Sequence, residues 1–150
     1  MAAPRKIAEL LDLLRSVEGR QDRIEMLIGI ADRYREVPPE VAQRPFDSGN
    51  LIPHCESEAY CWPIEEPDGS LKLFFAVENP QGISARAMAV ILDEGLSGEP
   101  LEEVVRVEDD LPLEIFGHQL SMGKSMGLNG MVAMVRLAAQ RKLRDRCEDG

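Results

Sequence analysis

The chain has 150 residues, the usual size of one domain and enough to bury a core without disulfide staples. Apolar residues supply 44% and charged residues 29% of it, a balance that excludes a disordered chain and predicts a folded, globular one. The formal net charge of -10 repels phosphate backbones and anionic headgroups, so nucleic acid and a membrane surface are not expected as partners.

In chain order, Ile7, Leu10, Leu11, Leu14 and Val17 recur at three and four residues and predict an amphipathic helix from Arg5 to Val17. The apolar run at Leu10–Leu14 is interrupted by Asp12, preceded by Glu9, and followed by no small-residue cleavage site, so it does not read as a secretory leader. No stretch approaches the roughly 20 apolar residues of a membrane span, and a cytoplasmic location is the expectation. Ile24, Leu27, Ile28 and Ala31 predict a second helix between Gln21 and Arg35, stopped by Pro38-Pro39 because proline restricts its predecessor and lacks an N–H.

Residues 38 to 54, rich in Pro, Gly, Asn, Asp and Ser, read as loop. After Cys55, the β-prone runs Ala59–Ile64 and Leu71–Val77 flank an Asp68-Gly69 turn signal and predict an antiparallel hairpin. Ala87, Val90 and Ile91 predict a helix over 84–96, with Ser84 as its N-cap and Gly95 and Gly98 closing it. Short helical turns at Leu101–Val105 and Leu111–Phe116 are introduced by Pro100 and Pro112. The last helix carries Leu128, Met131, Val132, Met134, Val135 and Leu137 and runs to about Arg144, with Arg141, Lys142, Arg144 and Arg146 favouring its C-terminal end. The expected architecture is one α+β domain over 1–150, a small antiparallel sheet packed by an N-terminal helix pair and C-terminal helices.

Three cysteines, Cys55, Cys61 and Cys147, are an odd count without C-x-x-C spacing, which fits reduced thiols and, with only His54 and His118 to assist, predicts no metal site. Cys55 lies between a turn and a strand, where a loop can present a thiol. An ordinary thiol is a few per cent thiolate near neutrality; His54 and the Ser57 hydroxyl favour the thiolate, while Glu56 and Glu58 oppose it. From the residues alone, Cys55 is either an incidental thiol or a nucleophile. Cys61, in the predicted strand beside Trp62, reads as a small core hydrophobe, and Cys147 as an exposed bystander after the last helix. His118 reads as a surface or capping residue. Gly123-Lys124-Ser125 does not complete a phosphate-binding loop, because the glycine required five positions before Gly123 is His118.

The run Asn50-Leu51-Ile52-Pro53-His54-Cys55-Glu56-Ser57-Glu58-Ala59-Tyr60 resembles the Cys-x-Ser signature of the SufE family. The block Leu120-Ser121-Met122-Gly123-Lys124-Ser125-Met126-Gly127-Leu128-Asn129-Gly130-Met131 resembles the segment that opens that family's last long helix. The resemblance implies that Cys55 accepts persulfide sulfur from a pyridoxal-phosphate-dependent cysteine desulfurase, stimulates it, and passes sulfur to iron–sulfur scaffold proteins. It further implies an accessory sulfur-transfer protein that binds no cofactor, rather than a stand-alone enzyme. His54, Ser57, Glu58, Tyr60 and Lys124 become supporting or partner-binding residues, with Leu51, Ile52 and Tyr60 sheltering the thiol. The chain departs from the family at four of these places: His54 stands where glycine is usual, Glu58 for a polar amide, Tyr60 for tryptophan, and Lys124 for arginine. Two other readings stay open, a noncatalytic binding module of this fold and a thiol redox sensor with Cys61 as resolving partner.

Overall fold

The computed structural model describes residues 3–55, 58–79, 82–117 and 122–149. Helix α1 spans Arg5–Ser16 and buries Ile7, Leu11 and Leu14, the stripe its periodicity predicts. The Arg5 amide at its start, one of the donors a helix leaves unpaired, donates to Glu103 Oε1 at 2.7 Å.

Helix α2 spans Arg20–Ala31 and differs from the expectation. It stops well before the prolines, and Ile24 and Ile28 of the predicted stripe are exposed while Ile30 and Ala31 are buried. The chain instead tightens into turns, with Arg33 N–H donating to Ile30 and Tyr34 N–H to Ala31, both at 3.0 Å. That early stop carries Tyr34 to the sheet, where its hydroxyl accepts the Val77 N–H at 2.8 Å. A tertiary bond thus overrides a local pattern whose apolar residues admit more than one stripe.

Strands β1 (Ala59–Glu65) and β2 (Leu71–Val77) pair antiparallel, Ala59 opposite Val77 and Glu65 opposite Leu71. The connecting turn is closed by Asp68, whose carboxylate accepts the Ser70 N–H at 2.9 Å and the Ser70 hydroxyl at 2.6 Å, with Gly69 at φ +89° supplying the left-handed residue. Side chains alternate across the sheet. Ala59, Cys61, Leu71, Leu73, Phe75 and Val77 enter the main core; Tyr60, Trp62 and Ala76 form a second cluster on the opposite face.

A two-stranded sheet is marginal alone, and here its margins are engaged. Along β2, Leu71 C=O accepts from Gly98 N–H at 2.9 Å, Leu73 N–H donates to Ser97 Oγ at 3.0 Å, and Phe75 C=O accepts from Val37 N–H at 2.9 Å. With the Tyr34 bond at Val77, four outward backbone groups are satisfied by loops and side chains. Along β1, residues 50–52 lie beside the strand, a pairing that leads directly into the cysteine loop.

The second face is roofed by the segment running from Val37 to Phe46. The Phe46 ring lies 5.1 Å from that of Tyr60 and 4.9 Å from that of Trp62, in tilted and edge-on arrangements. Arg44 stacks on Phe46 at 4.8 Å and bridges Glu36 and Glu78, the latter at 2.6 Å. The hydrogen bond from Arg44 holds the Glu36 carboxyl below its usual range. A carboxyl depressed in the folded state contributes stability above its unfolded pKa and loses it as pH falls through the folded value. Acidification from about pH 7 to about pH 3 is therefore expected to loosen the roof, read as a red shift of the single tryptophan, Trp62. In Arg44→Met the emission should start red-shifted and the acid step should shrink; an unchanged step would assign it to other carboxylates.

Helix α3 (Ile83–Leu96) crosses the core face of the sheet and is mostly buried. Gly82, not Ser84, occupies its N-cap, and no side chain caps it. Gly95 lies inside the helix rather than closing it, and Gly98 follows its end. Helices α4 (Leu101–Val104) and α5 (Leu111–Phe116) are the short turns after Pro100 and at Pro112. Helix α6 (Met122–Asp149) starts earlier and runs further than its apolar pattern, burying Leu128, Met131, Val132, Val135 and Ala139. Its basic end does more than complement the helix dipole. Lys142 bonds Glu65 at 2.9 Å and Arg146 donates to the Gly69 carbonyl at 2.6 Å, tying the helix to both ends of the hairpin turn.

Candidate functional site

The cysteine loop is defined by the bonds at its neck. Leu51 bridges Tyr60, the Ile52 N–H donates to the Ala59 carbonyl at 2.8 Å, and Asn50 Nδ2 donates to the Cys61 carbonyl at 2.9 Å. The chain leaves this pairing at Pro53 and rejoins it at Glu58, and Cys55 belongs to the excursion between them. Glu58 closes it: its N–H donates to the Cys55 carbonyl at 3.3 Å and its own carbonyl accepts the Glu78 N–H at 3.0 Å.

Two non-glycine residues of the loop adopt left-handed backbone, His54 at φ +61° and Glu58 at φ +36°. Each costs about 1 kcal/mol for a residue bearing a Cβ. Glycine would suit that conformation without strain. Here an exposed histidine occupies it.

Cys55 is half-buried and packs at the margin of the main core. Beneath it lies α6 at Gly127, where a Cβ would stand 2.7 Å from Cys55 Cα and 3.2 Å from its Sγ. One turn further, a Cβ on Gly130 would meet the Pro53 carbonyl oxygen at 2.9 Å. Close packing here depends on two glycines. Their i, i+3 spacing puts them on one helix face, a signal readable from sequence but silent about what covers it. Lys124 is exposed in the first turn of α6, three residues before Gly127 and so on the same side of the helix.

Of the expected shelter residues, Ile52 is buried in the core beside the loop, whereas Leu51 is 40% exposed. Tyr60 does not join the cluster that Cys55 packs against. The two-residue period of β1 turns it to the aromatic face, where its hydroxyl donates to Glu58 Oε1 at 2.8 Å. That hydrogen bond to a carboxylate raises the Tyr60 pKa and holds the Glu58 side chain at the neck of the loop. Ser57 and His118 lie outside the described residues.

Cys61 is completely buried on the core face, and burial alone pushes its thiol far above the ordinary range. Its burial and raised pKa both disfavour it as an attacking or resolving sulfur. Cys147 is exposed, but within α6 rather than beyond it. On mixing with iodoacetamide, Cys147 should be alkylated fast and Cys61 only after denaturant is added, as peptide mass mapping would report. Labelling of native Cys61 would contradict its placement.

Gly123, Lys124 and Ser125 are all inside α6, so they form no phosphate-cradling loop. Among the described residues no cluster of three His, Cys, Asp or Glu could hold a metal ion, and no helix is long and apolar enough to cross a membrane. Surface clefts of about 810, 240 and 180 Å3 are lined by residues from the α1, α2, α3, α5 and β2 regions, none from the cysteine loop.

An α+β fold with a cysteine loop springing from a two-stranded sheet and seated on the last long helix defines the class to which the comparisons point. Residues 8–139 match the family described as SufE: Fe-S metabolism associated domain. The chain belongs to the SufE family. An uncharacterised SufE-like protein of Mycobacterium tuberculosis is 23% identical over 143 residues, spanning 95% of this chain and 94% of that one. The chloroplastic/mitochondrial SufE-like protein 1 of Arabidopsis thaliana is 24% identical over 140 residues, which are 93% of this chain but 35% of the plant protein. The solution structure of a hypothetical protein from Thermus thermophilus superposes with a TM-score of 0.74 at 24% identity, covering 95% of this chain and 99% of the other. That likeness shows the shared fold.

Proposed function

We propose that this SufE-family protein is a sulfur acceptor: Cys55 takes sulfane sulfur from the persulfide of a cysteine desulfurase, stimulates that enzyme, and hands the sulfur on toward iron–sulfur scaffold proteins. Membership of a family associated with Fe-S metabolism supports the setting. The observation that carries the role is the contrast among the thiols. Cys61 is sealed in the core and Cys147 lies far along the exposed end of α6, whereas Cys55 is half-buried in a loop at the margin of the core. A persulfide carrier needs both reach and cover, because the species it holds is readily oxidised.

The step is thiol exchange. The Cys55 thiolate attacks the terminal sulfur of the desulfurase persulfide; a new S–S bond forms at Cys55, the donor S–S bond breaks, and the desulfurase thiolate departs. No external oxidant or reductant enters, and the transferred sulfur keeps its oxidation state. Positive charge favours the attacking thiolate, a part that Lys124 fills in this reading, while His54 and Glu58 shape the loop. The pyridoxal phosphate that frees sulfur from cysteine belongs to the desulfurase, which acts as the partner.

The test is incubation with a desulfurase and cysteine followed by intact mass measurement. Addition of one sulfur atom, lost in Cys55→Ser, is the expected result. Failure to form the adduct with the authentic partner would overturn the reading in favour of a noncatalytic binding module.

A further inference from the structure

We infer that Gly127 and Gly130 are positioning residues: together they form a seat on α6 that holds the Cys55 loop docked, and side-chain volume at either position drives the loop outward. The inference rests on the acceptor reading for its purpose, but not for its geometry. A Cβ on Gly127 would lie 2.7 Å from Cys55 Cα, a separation real Cβ contacts do not show, and 3.2 Å from both Cβ and Sγ. The obstacle is loop backbone, which cannot rotate away as a flexible side chain would. At Gly130 the obstacle is again backbone, the Pro53 carbonyl oxygen at 2.9 Å, with Ile52 Cγ2 at 3.3 Å. The two contacts fall on opposite sides of His54 and grip the ascending limb of the loop at two points.

Two features say which partner yields. Helix α6 is 28 residues long, is buried through Leu128, Met131, Val132 and Val135, and is tied to the hairpin by Lys142 and Arg146. The loop is anchored at its neck and contains left-handed His54 and Glu58, whose strain is relieved if it moves. A clash between a rigid helix and a strained loop is relieved by the loop. Opening is then a local event, and Cys55 chemistry reports its population.

The variant Gly127→Ala is expected to raise the rate of Cys55 alkylation by iodoacetamide about tenfold relative to the parent chain. Cys61, sealed in the core, serves as internal gauge of global opening and should stay unlabelled; Cys147 should react at its parent rate. Gly130→Ala should act in the same direction. Gly29→Ala, in α2 where a Cβ meets nothing within 4 Å, controls for the general effect of alanine in a helix and should leave Cys55 unchanged. Unchanged Cys55 labelling in both seat variants would overturn the inference, and so would Cys55 and Cys61 becoming reactive together.

In the sulfur-transfer assay, a loop already open removes the fraction of binding energy otherwise used for undocking, so Gly127→Ala should lower the apparent KM for the desulfurase more than it changes kcat. A KM that stays at the parent value while alkylation accelerates would overturn the docked loop as a barrier to partner engagement. Faster alkylation without any persulfide adduct would retire the acceptor role and leave the seat standing, so the two failures are distinguishable.

Discussion

Replacing Cys55 by serine is expected to abolish sulfur uptake, a loss on the order of a thousandfold or more, while leaving the fold intact. The two side chains differ by one atom, and at a half-buried loop position that difference disturbs little packing. Chemically they are far apart. A serine hydroxyl stays protonated at neutral pH and gives no stable bond to sulfane sulfur, so both attack and storage fail. Cys55→Ala should reproduce the loss without introducing a hydroxyl, which separates missing chemistry from an added polar group. Cys147→Ser should form the adduct normally. Retention of desulfurase stimulation by Cys55→Ser would mean that stimulation comes from docking alone; retention of the sulfur adduct would move the acceptor to another residue.

The second large effect is on stability and lies three residues before the thiol. Ile52 is 1% exposed and belongs to the main core, while its N–H closes the loop neck on Ala59. Ile52→Ala removes buried methyl groups and leaves a cavity beside α6, an expected cost of about 3 kcal/mol. For a chain of this length that corresponds to a fall of about 10 °C in Tm. Neighbouring Leu51 is 40% exposed, and Leu51→Ala should cost less than about 1 kcal/mol. Urea unfolding of the pair provides the check. Comparable losses in the two variants would mean that the pairing of 50–52 with β1, and not the burial of Ile52, anchors the loop.

The parts of this fold that are legible in sequence are those where one local rule acts without competition. Helix α1 follows its three-and-four spacing, and the hairpin follows alternation together with Asp68-Gly69. Helix α2 is harder to read because its apolar residues are spread around the helix, so Ile24 and Ile28 look as suitable for burial as Ile30. Its end at Ala31 goes with a bond far away in sequence, Tyr34 to Val77. Ser84 has the right chemistry for a cap and the wrong place by two residues. Proximity in sequence puts Tyr60 beside the thiol, whereas strand periodicity sends alternate residues to opposite faces. Cys55 itself gains meaning only beside the Lys124 block. What sequence does not display is the floor beneath it, because Gly127 and Gly130 act through the volume they lack against residues some 70 positions away.

The engaged margins of the sheet bear on how other chains can approach. Many recognition events lengthen a sheet by adding a foreign strand, and the same exposed backbone templates aggregation. Here β2 commits four outward groups to Gly98, Ser97, Val37 and Tyr34, and β1 commits the 59–61 end of its flank to residues 50–52. A visiting strand would have to displace the roof of the aromatic face on one side or the root of the cysteine loop on the other. A partner that docks on side chains alone does not meet that cost, so lengthening of the sheet is the mode of recognition these bonds disfavour.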